Sequence, residues 1–139
     1  MISIRAQKTL WGRAAGRCSF PVCRREVFFE EEASNPTLIG ENCHIVSESG
    51  PRADPAFPGD LRNSYSNLIL LCRNCHKIID DPENGEKIYS VEKLRDIKLE
   101  HEAWVRQDLD FDLNKQRDDE AYADVAYPSE PSWADSYHM

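Results

Sequence analysis

The chain has 139 residues, of which 30% are charged, and its mean hydropathy is -0.64. This length allows one domain with a modest core plus appendages, and the sequence has no apolar run of roughly 18 residues that could span a membrane. The first residues lack the apolar stretch and the small-residue cleavage site of a secretory signal, so we expect a cytoplasmic protein without membrane contact.

The charge of the chain is unevenly distributed. The net charge is -8, but nine acidic residues and only three basic ones follow position 105, whereas residues 1–25 contain six basic residues and no acidic one. The N-terminal region could therefore face nucleic-acid phosphates despite the negative total. A solvated helix face is the alternative interpretation of the same basic residues.

The first half of the chain predicts one helix, two β-prone segments and a loop. Residues 4–15 carry apolar side chains at helical spacing and are followed by Gly16, which indicates a short amphipathic helix. Residues 27–29 and 37–45 are β-prone, and the second segment runs into His44. Residues 47–63 are rich in Ser, Gly, Pro and Asp and predict a long loop, a feature that is usually functional or disordered.

The second half begins with an apolar run at residues 67–72, which passes into a short helix that a breaker ends near Asp80. Ser90 is a candidate cap for a helix that extends to about Gln107, and its apolar stripe includes His101, interpreted as a packed core histidine. The acidic segment beyond shows no clear period and is expected to be disordered. Two alternatives are a regulatory contact with the basic N-terminal face and docking on a partner protein through Tyr127 or Trp133.

Four of the five cysteines form two close pairs, Cys18 with Cys23 and Cys72 with Cys75. An odd number of cysteines without an export signal argues against a disulfide framework, and two such pairs can supply the four thiolates of a tetrahedral structural zinc site. A closed four-thiolate site leaves no position for water, so this Zn²⁺ would stabilise the fold and not act as the catalyst. Cys43 lies outside the pattern and either packs in the core or touches a catalytic metal.

Three short segments contain, in chain order, a His, an Asn and a His. They are Glu41–Ile45 with His44, Asn67–Leu71 with Asn67, and Cys72–His76 with His76. Together they resemble the motif of the HNH (ββα-metal) endonuclease family, over roughly residues 10–105. Within that family the chain looks most like the nuclease domains of bacterial anti-phage defence effectors. The residues that carry this closer resemblance are Gly50-Pro51-Arg52-x-Asp54 and Leu94-x-x-Ile97-Lys98-x-x-His101-Glu102-x-Trp104.

The resemblance implies an α+β fold. Residues 1–107 would form a small zinc-stapled ββα-metal domain with flanking helices, and residues 108–139 an acidic, flexible tail. It also implies roles for three residues. His44 would be the general base, Asn67 would fix the loop that carries His44 through backbone hydrogen bonds, and His76 would bind a catalytic Mg²⁺, or Mn²⁺ or Ni²⁺ in its place. An imidazole and one such ion can together activate water, stabilise the charge on the phosphorane and assist the departing 3′ oxygen.

The sequence offers several candidates for the second ligand of the catalytic cation. Many HNH enzymes carry an aspartate directly before the general base, whereas this chain has Cys43, and a thiolate is a poor partner for Mg²⁺. Glu41 could substitute, the cation could rely on His76 with waters and substrate phosphate, or a softer ion could be preferred. Arg52, in the loop after His44, is a candidate phosphate clamp, and a solvated loop charge is its alternative interpretation.

These features predict a metal-dependent endonuclease that hydrolyses phosphodiester bonds in DNA, expected to be double-stranded, in anti-phage defence or restriction. The alternative is a zinc-stapled module that binds nucleic acid or protein and whose HNH site is catalytically degenerate. Cys43 is the feature that keeps this alternative open.

Overall fold

The structure is a computed structural model, and it describes residues 1–30 and 34–126. The chain divides into two units, Met1–Val105 and Arg106–Met139. Among the described residues, no helix combines the length and the apolar composition that crossing a lipid bilayer requires. A 3-10 turn covers Tyr65–Asn67. The remaining elements in chain order are α1 (Ile4–Arg13), β1 (Phe28–Phe29), β2 (Thr37–Leu38), β3 (Gly40–His44), α2 (Gly59–Arg62), β4 (Leu68–Cys72), α3 (Arg73–Ile79), α4 (Gly85–Ile88) and α5 (Val91–Ala126).

Helix α1 confirms the predicted amphipathic helix. Its N-cap is Ser3, whose hydroxyl oxygen accepts a hydrogen bond from the Ala6 amide at 3.1 Å, an arrangement that satisfies one of the free amides of the first turn. Ala6 and Leu10 are buried on its inner face. The helix ends before Gly16, which has a φ of +63° and where a Cβ would lie 2.6 Å from the Phe28 ring. Glycine is favoured there because the backbone is left-handed and the space is filled.

Strands β3 and β4 form the antiparallel hairpin on which the candidate site is built. Gly40 pairs with Cys72 and His44 with Leu68, so the strands are in register over their full length. All five residues of β4 are buried. The apolar run of the sequence is therefore a strand covered on both faces, which explains why it shows no polar alternation. Strands β1 and β2 form a separate two-stranded sheet, so the predicted segment 37–45 contains two strands.

Helices α1 and α3 cover opposite faces of this hairpin. Glu41 and Asn42 are consecutive residues of β3, so their side chains point to opposite faces. The Trp11 indole nitrogen of α1 donates to the Asn42 carboxamide oxygen at 2.7 Å, whereas His76 of α3 lies 3.5 Å from the Glu41 carboxylate. The structure thus has the α+β architecture expected for the first unit.

Helix α5 begins as predicted but extends further. Its first part packs in the core of the first unit, and His101 is fully buried, with its Nε2 donating to the Ala14 carbonyl at 3.0 Å. This confirms the packed core histidine, and burial lowers the pKa of His101. The helix was expected to end at about Gln107, but α5 continues through residues 108–126, a segment that contains neither glycine nor proline. Tyr127 and Trp133 lie outside the described residues.

Candidate metal centres and active site

The four predicted zinc ligands meet at one point. The Sγ atoms of Cys18, Cys23, Cys72 and Cys75 all lie within 4.8 Å of one another, and those of Cys23 and Cys72 are 3.9 Å apart. Four sulfurs bound tetrahedrally to Zn²⁺ at about 2.3 Å would be separated by roughly 3.8 Å. The cluster, called the cysteine knot below, could therefore hold a structural metal ion such as zinc.

Backbone hydrogen bonds hold the two cysteine pairs together. The Cys18 amide donates to the Arg25 carbonyl at 2.9 Å, which closes the turn that carries the first pair. The adjacent Ser19 amide donates to the Leu70 carbonyl at 2.9 Å and so attaches this turn to β4. The second pair lies where β4 passes directly into α3, with Cys72 as the residue before the helix. The knot therefore joins the turn after α1 to the junction of strand and helix.

Burial determines the ionisation of two of these thiols. Burial raises the pKa of Cys18 to about 11 and the pKa of Cys75 above its usual range. Thiolates at such positions need a nearby positive charge, and a metal ion coordinated by four sulfurs supplies it.

A second, more open site lies on the other side of Cys75. His76 is flanked by two carboxylates: its Nε2 is 2.9 Å from the Asp80 Oδ2, and its Nδ1 is 3.5 Å from the Glu41 Oε2. The three side chains are partly exposed, and they line an open cleft of about 540 Å³. This cleft, called the histidine cleft below, is lined by Glu41, Arg73, Asn74, His76, Lys77 and Asp80.

The charges in the histidine cleft favour a proton or a cation between His76 and Asp80. The hydrogen bond that His76 donates to Asp80 is the largest cause that raises the pKa of His76, with partial burial opposing it. Burial alone would raise the pKa of Asp80, but hydrogen bonds from His76 and Arg52 outweigh it and lower that pKa. A divalent cation that replaced the shared proton would be bound by the Nε2 of His76 and the carboxylate of Asp80, whereas Glu41 faces the other ring nitrogen.

Asp80 was missed as a functional residue in the sequence, where it was interpreted only as part of a helix breaker. It lies four residues after His76, a spacing that places two side chains on the same side of a helix. That spacing was readable in the sequence and could have identified the pair.

Arg52 lies elsewhere than predicted. Its guanidinium is fully buried and donates to the carbonyl of Ile45 at 3.0 Å, to the carbonyl of Ile79 at 2.7 Å and to the Asp80 Oδ1 at 2.6 Å. The prediction that Arg52 clamps substrate phosphate is therefore wrong, because its donors are already bonded inside the protein. The Arg52 guanidinium thereby joins Ile45, the residue after His44, to Asp80, whose carboxylate lies beside His76.

His44 and Asn67 lie at the end of the hairpin that is far from the cysteine knot. Buried Asn67 accepts a hydrogen bond from the Val46 amide at 3.0 Å and donates to the carbonyls of Val46 at 3.0 Å and Arg62 at 2.8 Å. It therefore binds backbone just beyond His44, in the manner that the family resemblance implies. The partly buried His44 ring has its Nε2 2.7 Å from the Asn63 Oδ1. Side chains alternate along β3, so His44 lies on the face of Asn42, whereas Glu41 and His76 lie on the other face. Arg52 joins the two regions, because it donates to the carbonyl of Ile45 and to Asp80.

Cys43 is packed in the core and is not placed to act as a metal ligand. It is 1% exposed, and its thiol donates to the Glu41 carbonyl at 3.4 Å. Burial raises the pKa of Cys43 well above its usual value, and the charges of Asp80 and Glu41 raise it further. Because coordination requires a thiolate, a protonated Cys43 supports the packing interpretation.

Part of the chain matches a known protein family. No curated protein matches the chain. The sequence model of a family described as HNH endonuclease matches residues 21–85, a span that contains β3, β4 and α3 together with His44, Asn67 and His76. The match supports the HNH endonuclease family for this segment, and with it an activity of the nuclease kind.

Proposed function

We propose that this protein is a metal-dependent endonuclease that hydrolyses phosphodiester bonds of double-stranded DNA. The observation that carries the proposal is the histidine cleft, in which His76 lies between the carboxylates of Glu41 and Asp80. Two further observations support it. Arg52 links the segment after His44 to Asp80. All of these residues lie within the segment 21–85 that matches the HNH endonuclease family.

The proposed roles divide the chemistry among a few side chains. His44 accepts the proton of the attacking water as general base. Asn67 holds the backbone around His44 and so orients it. His76 and Asp80, with Glu41 close by, would hold a divalent cation such as Mg²⁺, Mn²⁺ or Ni²⁺. That cation supplies the positive charge that stabilises the phosphorane and the departing 3′ oxygen.

Two basic side chains of α3 replace Arg52 as the groups that face substrate phosphates. Arg73 and Lys77 are exposed and line the histidine cleft. They are four residues apart and so project from one side of the helix. An arginine can bind phosphate with two parallel hydrogen bonds, and a lysine adds a point charge. Together they would place a DNA backbone over His76.

The cysteine knot has a structural role in this proposal. Cys72 immediately precedes α3 and Cys75 immediately precedes His76. A Zn²⁺ bound by the knot would fix the first turn of α3 against the hairpin, and this would set the position of the cation ligand. The resemblance to anti-phage effector nucleases leads us to place the activity in cytoplasmic defence or restriction.

A second candidate function is a DNA- or protein-binding module without catalysis. The observation that favours it is Cys43, a protonated, buried thiol where many HNH enzymes have an aspartate ligand. Asp80 and Glu41 supply carboxylates from other positions, so we prefer the enzyme.

A plasmid-nicking assay with Mg²⁺, Mn²⁺ or Ni²⁺ tests the choice. We expect zinc-loaded protein to convert supercoiled plasmid into nicked or linear plasmid. His44→Ala should lower the rate of this conversion by roughly 10²- to 10⁴-fold, the usual contribution of a general base. His76→Ala should lower both the rate and the affinity for Mn²⁺. His138→Ala, a histidine substitution outside the first unit, is the matched control and should cut as the parent does.

Persistent supercoiled plasmid with all three cations would contradict the endonuclease and favour the binding module. Full cutting by His44→Ala would remove His44 from its role. Zinc content and circular dichroism of each variant show that a lost rate does not come from a lost fold.

A further inference from the structure

The proposed general base, His44, has a side-chain partner in Asn63. The Nε2 of His44 lies 2.7 Å from the Oδ1 of Asn63, which is 19 residues further along the chain. Asn63 directly follows α2, in the segment that the sequence predicted to be a long loop. Nothing in its local sequence marks it as functional.

This contact determines where the imidazole proton lies. A carboxamide oxygen only accepts hydrogen bonds, so the ring nitrogen that faces it must carry a hydrogen. In neutral His44 the proton is therefore on Nε2, and the lone pair is on Nδ1. Within the described part of the chain, Nδ1 makes no hydrogen bond and is not fully buried. Nδ1 is therefore the nitrogen that could accept a proton from water.

The buried side chain of Asn67 binds the backbone next to both His44 and Asn63. The Asn67 carboxamide binds the backbone of Val46, two residues after His44. The same carboxamide donates to the carbonyl of Arg62, the residue immediately before Asn63. One amide group thus fixes the separation between the strand end that carries the base and the loop that carries its partner. This makes the 2.7 Å contact a constrained feature of the fold.

We propose that Asn63 is a positioning residue for His44: its carboxamide oxygen holds the hydrogen on Nε2, which leaves Nδ1 as the basic atom and fixes the direction of the ring. The inference rests on the proposed role of His44 in hydrolysis. Asn63 touches neither substrate nor cation in this proposal and acts only through the imidazole.

The first test is spectroscopic and needs no activity. Long-range proton–nitrogen NMR on zinc-loaded protein with labelled histidines, at about pH 8 where histidines are largely neutral, reports which ring nitrogen carries the hydrogen. His44→Gln assigns the signals. We expect the hydrogen of His44 on Nε2 in the parent, a mixture of both tautomers in Asn63→Ala, and the parent pattern in Asn63→Asp, because a carboxylate also accepts from Nε2.

The second test is kinetic. Asn63→Ala should lower kcat by roughly 10- to 100-fold, the range found when a partner that orients a functional ligand is removed, with KM changed less than about twofold. Asn63→Asp should recover most of kcat and move the acidic limb of the pH–rate profile to higher pH, because a carboxylate stabilises the protonated ring. Asn84→Ala, an exposed asparagine outside the histidine cleft, is the matched control and should leave all three measurements unchanged.

The outcomes separate this inference from the proposed function. If the parent protein cuts no DNA with any cation, the endonuclease is wrong, and the NMR pattern still decides whether Asn63 fixes the tautomer. If His44 carries its hydrogen on Nδ1 in the parent, or if Asn63→Ala changes neither tautomer nor kcat, the positioning role is overturned. Should Asn63→Ala fail to fold, the Asn63→Asp spectrum decides, and a hydrogen on Nδ1 there contradicts the proposal.

Discussion

The cysteine knot and the histidine cleft lie side by side, with Cys75 and His76 adjacent in the chain, yet they are built in opposite ways. The knot has four identical donors within 4.8 Å of one another, and three of the four residues are buried. The cleft has an imidazole and two carboxylates that are more widely spread and partly exposed. A closed set of donors suits an ion that stays, whereas an open set leaves room for water and a phosphate.

Helix α3 connects the two sites and is fixed at both ends by different chemistry. Two ligands of the knot lie at its start, Cys72 directly before the helix and Cys75 in its first turn. At its end, the Arg52 guanidinium donates to the Ile79 carbonyl and to Asp80. The comparison therefore predicts that damage to the knot unfolds the domain, and that damage to the cleft leaves it folded. Arg52 belongs to both classes because it supports the fold and the cleft together.

Loss of one knot thiolate should have the largest effect. Structural zinc contributes about 10–16 kcal/mol of apparent binding free energy in small zinc domains, which is comparable to a typical total stability of about 5–15 kcal/mol. We expect Cys75→Ser to abolish stoichiometric zinc and cooperative unfolding, as measured by metal analysis and thermal circular dichroism. Cys43→Ala is the control and should retain one zinc per chain. A folded Cys75→Ser protein without zinc would contradict the prediction that the domain depends on the knot for folding.

Truncation of Arg52 should have an intermediate effect. Arg52→Met leaves the buried carbonyls of Ile45 and Ile79 without their donor, and each unsatisfied buried acceptor costs about 1–3 kcal/mol. We expect urea unfolding to show a loss of about 3–5 kcal/mol together with weaker Mn²⁺ binding, because Asp80 keeps His76 but loses the guanidinium that holds its carboxylate in place. Arg62→Met, in the same loop but less buried, should lose less stability and keep its Mn²⁺ affinity. Equal losses in the two variants would remove Arg52 from its linking role.

The pH dependence of cation binding should show the smallest change. The pKa of His76 is raised, chiefly by its hydrogen bond to Asp80, so a proton occupies the ring at higher pH than in a free histidine, and a bound cation must displace it. The Kd for Mn²⁺ should therefore rise as pH falls from about 8 to about 6, and it should approach tenfold per pH unit, the limit for one displaced proton. Calorimetric titration at several pH values measures this. A pH-independent Kd would place the cation away from His76.

The sequence predicted the features that depend on local spacing. The two cysteine pairs, α1, the start of α5 and the core position of His101 all follow from short-range patterns. The resemblance to HNH enzymes drew attention to His44, Asn67 and His76, and the structure places Asn67 where it can hold the backbone after His44. Their catalytic roles remain predictions that the nicking assay addresses.

The features that the sequence did not predict depend on contacts between distant segments. Arg52 was expected to face solvent or phosphate. Its own backbone is left-handed, with a φ of 60°, and its side chain points inward, where it donates hydrogen bonds to three backbone carbonyls and to Asp80. Asn63 is 19 residues from His44, and no local pattern relates the two positions. The end of α5 was placed too early because the apolar stripe is lost after Gln107, whereas the segment 108–126 contains no glycine or proline to end a helix.

Helix α4 begins at Gly85, where an added Cβ would collide with the Ile79 carbonyl oxygen. Arg52 donates to that same oxygen at 2.7 Å. A single methyl group at position 85 would therefore have to shift the backbone that presents Asp80 beside His76. In a saturation library screened for the proposed DNA cutting, position 85 should therefore tolerate almost no replacement, although glycine has no side chain that could take part in the chemistry. Backbone clearance beside Ile79 thus limits how the sequence of this domain can vary.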